Sequence, residues 1–382
     1  MPLLRSDRFT AVLLLVAAGL GLLVANSPLG GAATELKHLT VGIPGILQMA
    51  VGHWIADGLL AVFFFIVAVE LQYELTSGQL NSTRKALQPA IAAAGGVLTP
   101  IAVYLVVAGG SDAAAGWPIP TATDIAFALG VLAVFGRGLP SGVRIFLLAL
   151  AILDDIVGIV LIAVLFTAGV DLLMLALAVV ALIAFRVLSG VLDTRGRAAA
   201  IAGMAVCAVG TWWFVHESGV HATIAGVALG LMMRQQPALR VRHELEPWVN
   251  GIVLPLFAFS AALVAIPQVA PSQLSPAFWG VLLALPVGKI VGTCVAGWIA
   301  QRVVGGAAPL AFGDLLAAGA LGGIGFTVSL LLSELAFAAD AGTRDQATLG
   351  VLAGSTVSLI LAAFLVSWRA WHHRRRTTAP TH

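Results

Sequence analysis

The chain is a series of apolar runs. About a dozen of them, near 10–25, 54–74, 88–108, 121–136, 145–168, 172–187, 198–215, 219–233, 248–267, 277–300, 311–333 and 347–370, approach the roughly 17–25 residues that cross a bilayer as a helix. A water-soluble fold is excluded by the balance of residue types. Of the 382 residues 60% are hydrophobic and 10% charged, the mean hydropathy is +1.02, and soluble domains carry about 25% charged residues. Too little charge is left to coat a water-facing surface. The fold class expected is therefore an all-α polytopic membrane protein of about twelve transmembrane helices, forming one integral membrane domain over 1–382. A formal net charge of +2 points to no nucleic-acid partner. Cys207 and Cys294 lie in apolar stretches and read as small buried hydrophobes rather than a disulfide framework. The first run, behind Arg5 and Arg8, imitates a signal peptide, but with so many later spans it reads as an uncleaved first helix.

Lys and Arg set the orientation. With the N-terminus inside, only Lys37 and Arg344 of the 20 Lys and Arg fall in outside loops, and Lys289 alone falls well inside a span rather than at its cytoplasmic end. That asymmetry satisfies the positive-inside rule for twelve spans and places both termini on the cytoplasmic side of a cell (inner) membrane. The outside segment 26–51 contains "HLTVGIPG", whose weak alternation fits a small hairpin or an irregular loop. The basic tail "WHHRRRTTAP" reads as a solvated end facing lipid headgroups.

Against this background the buried charges stand out. "ALAILDDIVGIVLIAV" (149–164) carries Asp154 and Asp155 side by side; Asp57 and Glu70 lie in the second run. "IPTATDIAFALG" carries Thr123 and Asp124, and "LALPVGKIVGT" carries Lys289. A charge at mid-bilayer costs about 2.5–3.5 kcal/mol even on a lenient insertion scale, so such residues mark function. Adjacent helical positions point about 100° apart, so Asp154 and Asp155 cannot act as one bidentate clamp. One can face a partner helix while the other faces a cavity. A membrane carboxylate can hold a hard cation through oxygen, or a proton. Burial favours its protonated form and a nearby ammonium its ionised form. A site that takes either ion, and opens alternately to each side, is an antiporter.

Two stretches indicate how the site is built. "GWPIPTATDIAFALG" has Pro118 and Pro120 ahead of its polar pair, and "GALGGIGFTVSLLL" has Gly319, Gly322, Gly323 and Gly325. Such helices can unwind where they line a cavity, although the glycines alone fit close helix packing equally well. They occupy corresponding positions of two repeats, roughly 88–168 and 277–370. Two opposed broken helices would aim positive N-termini and negative C-termini at mid-membrane, with Asp124 offsetting the former and Lys289 the latter.

"TATDIAFALG", "LAILDDIVGIV", "ESGVHATIAGVALG", "EPWVNGIVLPLFAF" and "GGIGFTVSLLL" together resemble the NhaA-type sodium/proton antiporters, in the right order over nearly the whole chain. The resemblance implies twelve helices in inverted repeats with two discontinuous, crossing helices. It implies a homodimer formed partly through an outside hairpin. It also implies electrogenic export of sodium or lithium against protons, serving pH and sodium homeostasis, with no cofactor. Asp155 matches the family's principal cation- and proton-binding acid. Asp154 matches its neighbour, able to pair with the lysine matched by Lys289. Thr123 and Asp124 match the helix crossing, and Asp57 a position where the family keeps an acid. Glu70, Glu74, Arg242 and His243 match the inside funnel linked to pH response. There the chain departs from the family pattern: Gln72 and Tyr73 replace a common basic pair, and Arg242 replaces an acid. His221, in "GVHATIAG", is a further pH-response candidate, though a helix-end histidine is more often structural.

Rival readings fit less well. An intramembrane aspartyl protease would resemble a "YD" plus "GxGD" pattern, but neither Tyr73 nor Tyr104 precedes an Asp, and "FGD" at 312–314 lacks the first glycine. A sodium-driven symporter of related fold needs a polar cluster for an organic substrate. A passive channel has little use for a mid-membrane lysine beside adjacent acids. ATP-driven pumping would need a G-x-x-x-x-G-K-[ST] stretch, which the sequence lacks.

Overall fold

The computed structural model describes residues 6–44, 47–78, 80–167, 169–192, 197–304 and 310–377. Arg5, Arg195 and the tail from 378 lie outside the described residues, as do Gly45 and the side chains of Arg84, Lys85 and Arg376. The helices in chain order are α1 (Asp7–Ala25), α2 (Gly30–His38), α3 (Val51–Thr76), α4 (Thr83–Ala108), α5 (Ile125–Phe135), α6 (Ser141–Leu165), α7 (Leu172–Ser189), α8 (Arg197–Glu217), α9 (Thr223–Met232) and α10 (Gln235–Trp248). They continue with α11 (Leu254–Ala261), α12 (Pro276–Val304), α13 (Phe312–Gly322), α14 (Phe326–Ala336) and α15 (Ala341–Thr377). The alternating segment near 38–45 is a hairpin: β1 (Thr40–Ile43) pairs antiparallel with β2 (Leu47–Ala50), Val41 facing Met49.

Among the described residues, eight helices are long and apolar enough to cross a membrane, and ten if each of two bent pairs counts as one. The expected spans at 219–233 and 248–267 are shorter than their apolar runs. Gly219, at φ +81°, turns the chain before α9, leaving ten helical residues, about 15 Å at 1.5 Å per residue. The second is the end of a longer helix: α10 passes through a π-helical turn, Val249–Val253, into α11. Its first half carries Arg240, Arg242, Glu244 and Glu246, so it fails as an apolar span.

Both expected breaks are present. Short 3₁₀ turns over Asp112–Thr121 meet α5 at a bend of 48°, and α13 meets α14 at the same angle. Proline explains the first: Pro118 and Pro120 supply no N–H to an α ladder. Two further irregularities fall beside charged residues. The π-helical turn Ala284–Gly288 contains Pro286 and immediately precedes Lys289. A second, Trp54–Leu59, contains Asp57. Such wide turns frequently mark functional sites.

Packing places the breaks centrally. α4 lies against α12 so closely that a Cβ on Gly292 would meet the carbonyl of Gly95. α12 in turn packs on α13 and α15, while α3 packs on α9 and α7 on α8. The main apolar core runs through Leu14, Phe64, Tyr104, Phe127, Phe257, Leu285, Leu321 and Leu330. The outward faces of α7 and α8 carry exposed Leu172, Val180, Val187, Val206 and Val209, as expected where lipid is the solvent.

Candidate functional site

The two breaks are hydrogen-bonded to each other. The Asp124 amide donates to the Ile324 carbonyl at 2.6 Å, and Thr123 Oγ1 reaches the Gly322 carbonyl at 2.7 Å. Asp124 caps both following helices. Its carboxylate accepts from the Phe127 amide of α5 at 3.1 Å, and from the Thr327 amide and hydroxyl of α14 at 3.2 and 2.7 Å. One carboxylate thus accepts from the N-terminal turns of two helices, where helix dipoles are positive. Thr327 was missed in the sequence; its position just after the glycine break was the available signal.

Lys289 serves the opposite polarity. Fully buried at the start of the regular turn after Pro286, its ammonium donates to Thr121 O, where the 3₁₀ segment ends, to Thr123 Oγ1 at 3.2 Å, and to Asp154 Oδ2 at 2.6 Å. An ammonium has three N–H donors, and all three are used. Asp154, also fully buried, pairs through that one oxygen with Lys289 and with the Thr123 hydroxyl at 2.9 Å. Its other oxygen, Oδ1, is buried without a hydrogen-bond partner among the described residues.

Asp155 is different. It is 6% exposed, and its buried Oδ1 has no hydrogen-bond partner among the described residues. Asp154 and Lys289 neutralise each other, and the helix ends hold Asp124, so Asp155 is the acid left without a protein counter-charge. An unpaired carboxylate in a low-dielectric interior takes up either a cation or a proton. Asp154 Oδ1 and Asp155 Oδ1, each without a hydrogen-bond partner among the described residues, are individually hard oxygen donors of the kind sodium-sized cations take.

The remaining candidates form two separate groups on α3. Toward its end, Glu70 Oε2 lies 2.7 Å from the Arg242 guanidinium of α10. Gln72 donates to the Leu231 and Met233 carbonyls, Glu74 lies one turn beyond Glu70, and His243 is exposed beside Arg242. Toward its start, Asp57 Oδ1 lies 3.3 Å from His221 Nε2, whose Nδ1 is 2.8 Å from the Thr223 hydroxyl. The Trp212 indole donates to the Asp57 carbonyl at 3.0 Å. His221 therefore sits with Asp57, away from the Glu70–Arg242 pair.

Two ion clusters escaped the sequence. Asp314, buried on α13, accepts from Arg369 Nε of α15 at 2.9 Å, and His373 Nε2 lies 3.0 Å away. Arg369, at the end of the last apolar run, is only 6% exposed. Lys37 of α2 reaches the Ser260 carbonyl at 3.0 Å and Glu334 of α14 at 3.1 Å. A cavity of about 1050 Å³ lies elsewhere, lined by Trp54, Phe65, Met204, Trp212 and Leu229; it holds none of the paired acids of the break.

Fold and site define a polytopic membrane protein with ionisable groups buried where two helices break. Residues 2–366 match the model of the family Na+/H+ antiporter 1. The chain is 54% identical to the Na(+)/H(+) antiporter NhaA 2 of Clavibacter michiganensis subsp. michiganensis, over 99% of this chain and 94% of that one. It is 45% identical to the Na(+)/H(+) antiporter NhaA of Tropheryma whipplei, over 100% and 98%. It is 41% identical to the Na(+)/H(+) antiporter NhaA 3 of Streptomyces coelicolor, over 97% and 80%. The chain belongs to the Na+/H+ antiporter family.

Proposed function

We propose that the chain exchanges sodium, or lithium, for protons at Asp155, assisted by Asp154. The observation that carries this reading is the unmatched carboxylate of Asp155 beside a charge-balanced Asp154–Lys289 pair. A cation and a proton compete for the same oxygens, so each expels the other. With more protons entering than cations leaving, exchange is electrogenic and serves pH and sodium homeostasis. Thr123, Asp124 and Lys289 hold the crossing of the two broken helices, which belong to inverted repeats at roughly 88–168 and 277–370. Supporting the repeats, each contains a long helix, a broken pair and another long helix in that order. Glu70, Glu74, Arg242 and His243 tune the pH response from one end of α3, and Asp57 with His221 from the other.

Twelve crossings with both termini inside the inner membrane are part of the proposal. Hydrogen bonds support the two short spans. Chain 221–233 runs from a tie at Asp57 to a tie at Gln72, so it follows α3 over about 22 Å of rise. The chain just beyond α11 is tied to the turn after α1, since Asn26 bonds the Val264 carbonyl and the Ile266 amide. A homodimer through the hairpin fits its free edge and exposed Val41 and Ile43.

The test is transport in inside-out vesicles with a pH dye and added NaCl, LiCl or KCl. Wild type should respond to sodium and lithium. Asp155→Asn, whose amide neither titrates nor carries charge, should lose the response while remaining folded and membrane-inserted. Wild-type-like exchange in that variant would remove Asp155 from the site.

A further inference from the structure

Between the end of α5 and the start of α6 lies a cavity of about 360 Å³, lined by Leu129, Leu132, Arg137, Leu139, Ser141 and Arg144 among others. Pockets of roughly 300 Å³ and more accommodate small ligands. Arg137 and Arg144 are exposed, and neither makes a hydrogen bond or ion pair among the described residues. No carboxylate lines the cavity. More positive charge gathers at its rim: the Arg8 guanidinium donates to the Ala133 carbonyl. The stem of Arg374 lies against Gly138, whose φ of +101° forms the turn. Arg137 and Arg144 therefore face the cavity with no anion to balance them among the described residues.

Its surroundings decide the source of the missing anion. Val134, Phe135 and Ile145, which flank the two arginines in sequence, are 46%, 43% and 41% exposed. Large apolar side chains exposed at the end of a membrane helix face acyl chains, and basic residues a turn beyond face headgroups. A soluble phosphate would use the arginines and leave that apolar rim in water. A lipid uses both.

We propose that this cavity binds the phosphate headgroup of an anionic lipid, held by Arg137 and Arg144, with its acyl chains along Val134, Phe135 and Ile145. Guanidinium groups suit phosphate because their donors are planar and paired. The lipid would pin the 136–140 turn, which joins the broken helix to the helix carrying Asp154 and Asp155. The site is separate from those acids and does not depend on the transport reading.

The full chain is purified in detergent, and its unfolding is followed with added phosphatidylglycerol, phosphatidylcholine or inorganic phosphate. Phosphatidylglycerol should raise Tm by roughly 5 °C more than phosphatidylcholine. Arg137→Gln with Arg144→Gln should lose at least half of that excess and, by native mass spectrometry, retain one fewer phosphatidylglycerol. Both side chains are exposed, so the lipid-free Tm should barely move. Arg137→Lys with Arg144→Lys, which keeps the charge, should hold the lipid more weakly than wild type and better than the glutamine pair. An undiminished phosphatidylglycerol shift in the glutamine variant would overturn the proposal. So would an equal shift from inorganic phosphate, because the anion would then not be a lipid.

Discussion

Lys289 and Asp154 are both fully buried, and that sets the cost of separating them. Breaking a buried pair by removing one partner costs about 3–5 kcal/mol, because a charge is stranded in low dielectric. Lys289→Ala should therefore lower thermal stability markedly. Combining Asp154→Asn with Lys289→Gln leaves no stranded charge and should recover much of the loss; a double variant whose losses simply add would show that the two groups do not depend on each other. At the Glu70–Arg242 pair the outcome is functional. Both side chains are partly exposed, at 25% and 31%, so water screens them and little stability is at stake. Arg242→Gln should shift the pH onset of exchange, more at low ionic strength than at physiological salt, where the Debye length is about 8 Å. An onset indifferent to both would remove this pair from the pH response. The charged residues were legible in the sequence because a charge inside an apolar run is expensive. Their partners were not, since Lys289 meets Asp154 across 135 positions of chain and Thr327 meets Asp124 across 203. Asp314 and Arg369 were invisible for another reason: each lies near a span end, where a charge is cheap and draws no attention.

Helices break where the sequence denies them backbone donors or side-chain bulk. Pro118, Pro120 and the 319–325 glycines made both breaks legible. Which glycines serve bending and which serve packing was not legible, because a glycine looks alike in both roles. The structure separates them. Gly323 and Gly325 lie at the bend, where a Cβ on Gly323 would also meet the Leu285 carbonyl, whereas Gly292, away from any bend, lets α12 approach α4. Gly292→Val should force these helices apart one turn from Lys289, lowering stability by about 1–3 kcal/mol or more and reducing exchange. Gly31→Ala is the contrast. A Cβ there meets nothing within 4 Å on the short helix α2, and alanine is favoured over glycine in a helix by about 0.5–1 kcal/mol, so Tm should hold or rise slightly. Equal losses at the two positions would mean that close approach of α4 and α12 is not what Gly292 provides. The π-helical turns beside Asp57 and Lys289 had no signal beyond Pro286, since a wide turn depends on which carbonyls find partners.

The whole molecule rests on parity: each crossing reverses the side on which the next loop emerges. Hydropathy gave twelve runs, yet length and composition alone give eight to ten spans, and the difference falls on 219–233 and 248–267. If neither crosses, Arg234, Arg240 and Arg242 emerge outside, against the charge asymmetry of every other loop. The Gln235 amide bonds the Thr76 and Ser77 hydroxyls at 2.8 and 3.1 Å, which puts the start of α10 level with the end of α3. α3 itself is 26 residues long, about 39 Å of rise, enough to span a hydrocarbon core of about 30 Å. On the proposed topology the ten-residue helix α9 would reach the same depth with help from the non-helical chain at its ends, where α3 and α8 pack against it. In a variant with Cys207 and Cys294 replaced by alanine, single cysteines at Gln236 and Ser77 should react with an impermeant thiol reagent from one side of the membrane. Cysteines at Gln273 and Gly342 should react from the other. Labelling of Gln236→Cys from the side of Gln273→Cys would remove one or both short crossings, and with them the orientation of the helix that brings Arg242 to Glu70.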